Sequence, residues 1–181
     1  MDHLEVKSAI DLWAWLERNH SSSDSILLVT WKAAHQDKYV SREEVLDALI
    51  AYGWIDGRRF AVDDNRTSQL ISPRKQQAWS KSYKDRVERL RSEGKMKPAG
   101  EAAVEAGQAS GLWEFYAEVD ALTVPVDLAA SIDIGKWQSF PPSYQRNVLR
   151  WLHLAKTEET REKRIIEIAH ATSMEERLPQ M

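Results

Sequence analysis

Apolar residues recur along the chain in two periods, and the changes between them outline the elements. Ile10, Leu12, Trp13 and Leu16 form a helical stripe behind Ser8 and Asp11, a helix-start pair, and the stripe ends near Asn19-His20. After the turn Ser21-Ser22-Ser23-Asp24, the β-rich run Ile26 to Ala33 predicts a strand. His35 to Lys38 is a second turn, and Tyr39-Val40 a brief further strand. Ser41-Arg42-Glu43-Glu44 reads as a capping box for a helix that buries Val45, Leu46, Leu49 and Ile50. Gly53 ends that helix, since glycine takes the left-handed cap without steric cost. Trp54 to Val62 and Thr67 to Ser72 then predict two strands joined by the hairpin turn Asp63-Asp64-Asn65-Arg66, and Pro73, which cannot donate to a ladder, closes the second.

From Ser80 the period is helical. Tyr83, Val87 and Leu90 share a face up to Gly94, and Pro98 opens an alanine-rich helix reaching Ala109. Gly111-Leu112-Trp113 begins a connecting segment with a short helix around Phe115, and Pro125 to Ile132 predicts another short helix. Pro141-Pro142 opens a longer one with the stripe Tyr144, Val148, Trp151, Leu152 and Ala155, and Thr157 caps a last helix running to about Thr172. The fold class expected is α+β. A small antiparallel sheet of about three strands packs with helices on one face and is followed by a C-terminal helical region. An α+β portion, residues 1–75, precedes a mainly helical portion, residues 76–181, with a soft boundary between Pro73 and Ser80, the two being expected to form one compact unit.

Composition narrows the function classes. A chain of 181 residues with eight tryptophans can bury a sizeable core. No apolar run approaches the roughly 20 residues that span a bilayer, so no membrane span is expected. There is no cysteine, which excludes disulfides and thiolate chemistry. Together with an N-terminus that lacks a secretion-signal pattern, this fits the cytoplasm. The net charge of −3 hides an asymmetry: residues 74–97 carry nine bases against three acids. That excess could attract an anionic partner, and it is equally what a solvated helix face looks like.

The stretch from Tyr52 to Gly100 is the richest in candidate chemistry. Strand alternation puts Trp54, Asp56, Arg58, Phe60 and Val62 on one face. An acid and an arginine on an apolar face are costly unless paired or ligand-bound. Asp56 and Arg58 therefore line a pocket walled by Trp54, or form a structural ion pair with Gly57 as a bulge. Arg74 and Lys75 precede a helix start at which Trp79 and Ser80 sit, with Lys81 just beyond. Ser80 as N-cap, with charge from Arg74 and Lys81, would suit an anion; simple capping with Trp79 as a hydrophobic staple is the alternative. The ligand-binding candidates are thus Trp54, Asp56, Arg58, Arg74, Trp79, Ser80 and Lys81. The histidines His3, His20, His35, His153 and His170 are scattered without metal-ligand spacing, so no metal is expected. No phosphate loop, dinucleotide fingerprint or nucleophile elbow occurs, and no cofactor is expected.

In combination, Gly53-Trp54-Ile55-Asp56-Gly57, Pro73-Arg74, Trp79-Ser80, Arg86-Val87 and Met96-x-Pro98-Ala99-Gly100 resemble the YdeI/OmpD-associated, bacteriocin-protection family. Ala155-Lys156-x-Glu158-x-Thr160-Arg161-x-x-Arg164-Ile165 resembles its C-terminal helices, and the likeness runs from about residue 8 to 172. Tyr83 stands where many relatives carry asparagine, and Gln76-Gln77-Ala78 where many carry a serine before the Trp-Ser pair. The resemblance implies a bacterial protein linked to envelope stress and tolerance of antimicrobial peptides or bacteriocins, with no established reaction, cofactor or catalytic residue. The leading expectation is a binding module for a small anionic ligand, because arginines form bidentate bonds to such groups. Two alternatives stay open. One is an enzyme with Asp56 as general acid or base and Arg58 or Arg74 stabilising charge. The other is nucleic-acid binding through the basic helix 80–93, against which the pI near 6.0 counts. A homo-oligomer also stays open.

Overall fold

In a computed structural model, which describes residues 2–181, local signals near each helix end account for most of the elements. Ser8 accepts from the amide of Asp11 and starts α1 (Ala9–Asn19). Ser41 and Glu44 make the reciprocal capping box of α2 (Arg42–Ala51), whose Val45, Leu46, Leu49 and Ile50 are all buried. Gly53 has φ +71°, so the chain leaves α2 through a left-handed residue and enters β3 (Trp54–Ala61) at once.

The sheet runs β1-β2-β4-β3, with β1 (His3–Glu5), β2 (Ile26–Trp31) and β4 (Arg66–Pro73) beside β3. It has one strand more than the pattern predicts. The three residues of β1 pair in parallel with β2, and a strand that short carries no readable period. Tyr39 contributes only an isolated bridge to Trp31. The tight turn between β3 and β4 is held by Asp63, which accepts from the amides of Asn65 and Arg66.

Pairing register defines two faces. Ile26, Leu28 and Thr30 of β2 lie opposite Ile71, Gln69 and Thr67 of β4. Those in turn face Asp56, Arg59 and Ala61 of β3, with Trp54 beside Pro73. Ile26, Leu28, Ile71 and Trp54 on this face are buried, in one core with α1, α2, α3 (Lys81–Ser92) and α4 (Pro98–Ala109).

The compact units divide after Phe115, beyond the soft boundary expected between Pro73 and Ser80. That segment is a tie and not a linker. The Arg74 amide donates to the Gly53 carbonyl at 2.9 Å, the Trp79 amide donates to the Leu112 carbonyl at 3.0 Å, and Trp79 is buried in the first core. Close approach of α2 and α4 explains the glycine motif. A Cβ on Gly53 would meet the Ala99 carbonyl oxygen at 2.6 Å, and one on Gly100 would run into the Ala51 carbonyl.

The second unit is helical: α5 (Ala117–Asp120), α6 (Val126–Ala129), α7 (Ile134–Ser139), α8 (Pro142–His153) and α9 (Glu158–Ser173). Its core gathers Leu128, Trp137, Tyr144, Val148, Leu149, Leu152 and Ile168. Buried Gln145 donates to the Trp137 and Phe140 carbonyls, satisfying the backbone where α7 ends. Thr157 caps α9 as expected. Among the described residues no helix is long and apolar enough to cross a membrane.

Candidate functional site

A β-bulge re-aims the strand that carries the candidate residues. Between Asp56 and Arg59 the register advances three residues on β3 against two on β4, with Gly57 and Arg58 in the bulge. Alternation predicts Arg58 on the face of Asp56, but the extra residue puts Arg59 there, opposite Gln69. Arg58 is exposed and lies over the Phe60 ring at 5.4 Å.

Asp56 sits at the centre of a polar cluster. One carboxylate oxygen accepts from the Tyr83 hydroxyl; the other accepts from Gln69 Nε2 at 3.0 Å, and the same amide reaches the Gly57 carbonyl at 3.2 Å. Burial, with the Asp56 hydrogen bond second, raises the Tyr83 phenol well above its ordinary range. Tyr83 and Gln69 together therefore fix Asp56.

Arg74 packs beside this cluster, 3.9 Å over the Trp79 ring and 5.0 Å over that of Tyr83. Its Nη1 donates to the Gln77 carbonyl at 3.0 Å, while Nε and Nη2 are buried without a partner. Burial pulls its pKa down to about 10, so it stays protonated at neutral pH.

The remaining expected residues do not join an open site. Trp54 and Trp79 are each 1% exposed; the Trp54 indole donates to the His20 carbonyl, and Trp79 packs against Trp113. Ser80 occupies the N-cap position of α3, but its hydroxyl makes no capping bond and lies 3.1 Å from that of Ser82. Lys81 is exposed and pairs with Asp85 at 2.7 Å.

The opening lies further along the same sheet face. A cleft of about 220 Å3 is lined by Thr30, Thr67, Gln69, Arg59 and, from the start of α2, Arg42, with Tyr39 and Val40 at its rim. Arg42 and Arg59 are exposed, and among the described residues neither makes an ion pair. Arg42 also lines a smaller cavity of about 140 Å3 with Tyr83 and Arg86, so the two openings meet at this side chain. Gln69 links the cleft floor to the Asp56–Tyr83 cluster. Sequence reading missed Arg42 and Arg59. Arg42 lies within the capping box and draws attention as helix, and Arg59 reaches this face only because of the bulge.

Comparison with known families divides the chain. Residues 4–103 match the model of a domain of unknown function, DUF8412. The chain belongs to the DUF8412 family. Its matched region holds the sheet except for His3, together with the cleft and the Asp56–Tyr83 cluster. Residues 121–173 match the model of the bacteriocin-protection, YdeI or OmpD-associated family, which fits the likeness seen in the sequence. The motif from Ala155 to Ile165 falls inside it, whereas the motifs from Gly53 to Gly100 fall in the DUF8412 region. No curated protein and no solved structure matches the chain.

Proposed function

We propose that this DUF8412 protein is a binding module that takes a small anionic ligand in the cleft between the start of α2 and the sheet. The observation that carries this reading is the presence there of two arginines, Arg42 and Arg59, without a carboxylate partner. On the neighbouring helix α3, by contrast, the arginines are matched: Arg86 with Glu43 and Asp47, Arg89 with Asp47 and Glu93, Arg91 with Glu88 and Glu101. Guanidinium groups form strong charge-assisted bonds to carboxylates and phosphates, so an unmatched pair at one concavity suits an anion. Thr30, Thr67 and the Gln69 amide supply neutral hydrogen-bonding groups beside them.

Asp56 supports this arrangement as an orienting acceptor. Both its oxygens already receive hydrogen bonds from Tyr83 and Gln69, which fixes the floor of the cleft through Gln69. A protective role against bacteriocins or envelope stress, as the name of the C-terminal domain's family suggests, would then rest on recognition of an anionic component and not on turnover. Thermal unfolding with a panel of inorganic phosphate, nucleotides, sugar phosphates and cell-wall fragments tests the reading. A ligand at about 100 times its Kd raises stability by roughly 2.7 kcal/mol, a readable shift in Tm. The shift should shrink in Arg42→Ala and in Arg59→Ala. A panel without a hit, or a hit indifferent to both variants, would overturn the assignment.

A further inference from the structure

The strand that carries Arg59 is also an edge of the sheet. β3 pairs with β4 on one side and, among the described residues, has no strand on the other. Its hydrogen-bonding direction can be read from its neighbours. The Val62 amide donates to the Arg66 carbonyl, so Val62 and, two residues earlier, Phe60 direct their main chain inward to β4. Arg59 and Ala61 alternate with them and direct their amides and carbonyls outward. None of these outward groups has a backbone partner among the described residues.

The side chains along this edge are unusual for a strand end left to solvent. Residues 57–62 are all exposed, and they include Phe60 at 43% and Val62 at 46%. Edges are ordinarily blunted by charge and bulges, and Arg58, Arg59 and the bulge at Gly57 fit that role against a second copy, whose own arginines would be brought against these. The same two arginines favour a strand of opposite charge. β3 has one acid, Asp56, and it is engaged by Tyr83 and Gln69, so nothing on the strand offsets them.

We infer that the edge of β3 from Arg59 to Val62 accepts an acidic, extended segment of a partner protein as an added strand. The outward groups of Arg59 and Ala61 would make the main-chain hydrogen bonds. Arg59 would pair with the segment's carboxylates on one face, and Phe60 and Val62, beside Arg58, would take its apolar side chains on the opposite face. The inference shares the Arg59 side chain with the anion cleft but does not require a ligand there.

The test uses the full chain and a fluorescent peptide of alternating valine and glutamate, followed by anisotropy, with a valine–lysine peptide as the counterpart. The glutamate peptide should bind and the lysine peptide should not. Ala61→Pro removes an outward donor at a position where an edge strand tolerates proline, and it should weaken binding about tenfold, the worth of roughly one hydrogen-bonded pair. Methylating the peptide's own amides on alternate residues gives a second readout that leaves the protein untouched: one set should abolish binding and the other should not. Arg42→Ala should spare peptide binding while weakening small-anion binding, which separates this inference from the cleft reading. Equal binding of both peptides, equal effects of the two methylated sets, or no binding would overturn it. So would a concentration-dependent dimer that Ala61→Pro dissolves, which would assign the edge to a second copy.

Discussion

The basic helix α3 and the mouth of the cleft hold cations in opposite ways. Lys81, Lys84, Arg86, Arg89 and Arg91 make α3 the most positive element of the chain, yet each has a carboxylate within ion-pair distance. Arg86, the most enclosed at 12% side-chain exposure, is held between Glu43 and Asp47. Burial alone would lower its pKa, and the hydrogen bonds it donates to those two carboxylates, with their charge, outweigh it. Arg42 and Arg59 stand in a sparser neighbourhood and have no such partner. Density of charge along a sequence is thus a poor guide to charge available for a ligand. Availability depends on what the neighbouring elements bring: α2 supplies Glu43 and Asp47 to α3 from one flank and leaves Arg42 unmatched at its own first turn. The same pairing removes much of the reason for reading helix 80–93 as a nucleic-acid surface.

The largest expected effect comes from breaking the joint on which both regions depend. Gly53→Val puts a β-branched residue at φ +71° and drives its Cβ toward the Ala99 carbonyl. The conformation costs roughly 1–2 kcal/mol and the overpacking about 1–3 kcal/mol more, so thermal or urea unfolding should show a loss of about 3 kcal/mol. An unchanged midpoint would show that α2 and β3 meet differently. Next, the two classes of cation should separate by mutation. Asp47→Ala leaves Arg86 and Arg89 short of a partner and should cost about 1–3 kcal/mol. Arg42→Ala should stay within about 0.5 kcal/mol of the parent while weakening anion binding about tenfold, measured by calorimetry. Equal stability losses in the two variants would erase the distinction.

A smaller effect follows from pH. Hydrogen bonds from Arg86 lower Glu43, those from Lys95 and Arg89 lower Glu93, and those from Arg91 lower Glu101. Carboxylates depressed in the folded state add stability above the ordinary glutamate range and lose it as the pH falls through their folded values. The Tm should therefore drop as the pH is lowered below about 4.5, the ordinary glutamate value, and Glu43→Gln should flatten only part of that drop. Tyr83 has the opposite sense. Its raised pKa keeps the proton on the folded protein, so its contribution is present below about pH 10 and fades above it. The smallest predicted change is local. In Asp56→Asn, absorbance titration of tyrosinate should show Tyr83 ionising at lower pH yet still above an ordinary tyrosine, because burial is the larger cause of its shift and persists. No movement would mean that the hydroxyl does not donate to Asp56.

Asp56 and Arg58 show how far the strand pattern reached. Alternation placed Trp54 and Asp56 correctly on the core face, because the pleat is regular up to Gly57. The bulge then adds one residue, and every later side chain changes face. Arg74 and Trp79 were legible as neighbours of the α3 start, but their mutual stacking was not, since it depends on Trp79 being buried against Trp113. Lys81 was read as a ligand group, and in the fold it pairs with Asp85 one turn along.

The capping box of α2, the glycine exit at Gly53, the hairpin turn at Asp63 and the core stripes of α2, α3 and α8 were determined by the sequence alone. Each rests on hydrogen bonds or spacings within a few residues, so the information lies side by side in the chain. Tertiary structure decided the parallel strand β1, the bulge that exchanged Arg58 for Arg59, the bond from Tyr83 to Asp56, and which cations kept no partner. Those depend on groups 13 to 43 positions apart, such as Gln69 with Asp56 and Arg86 with Glu43. Only the packed helices and paired strands bring them within hydrogen-bonding reach, and no local pattern encodes that distance.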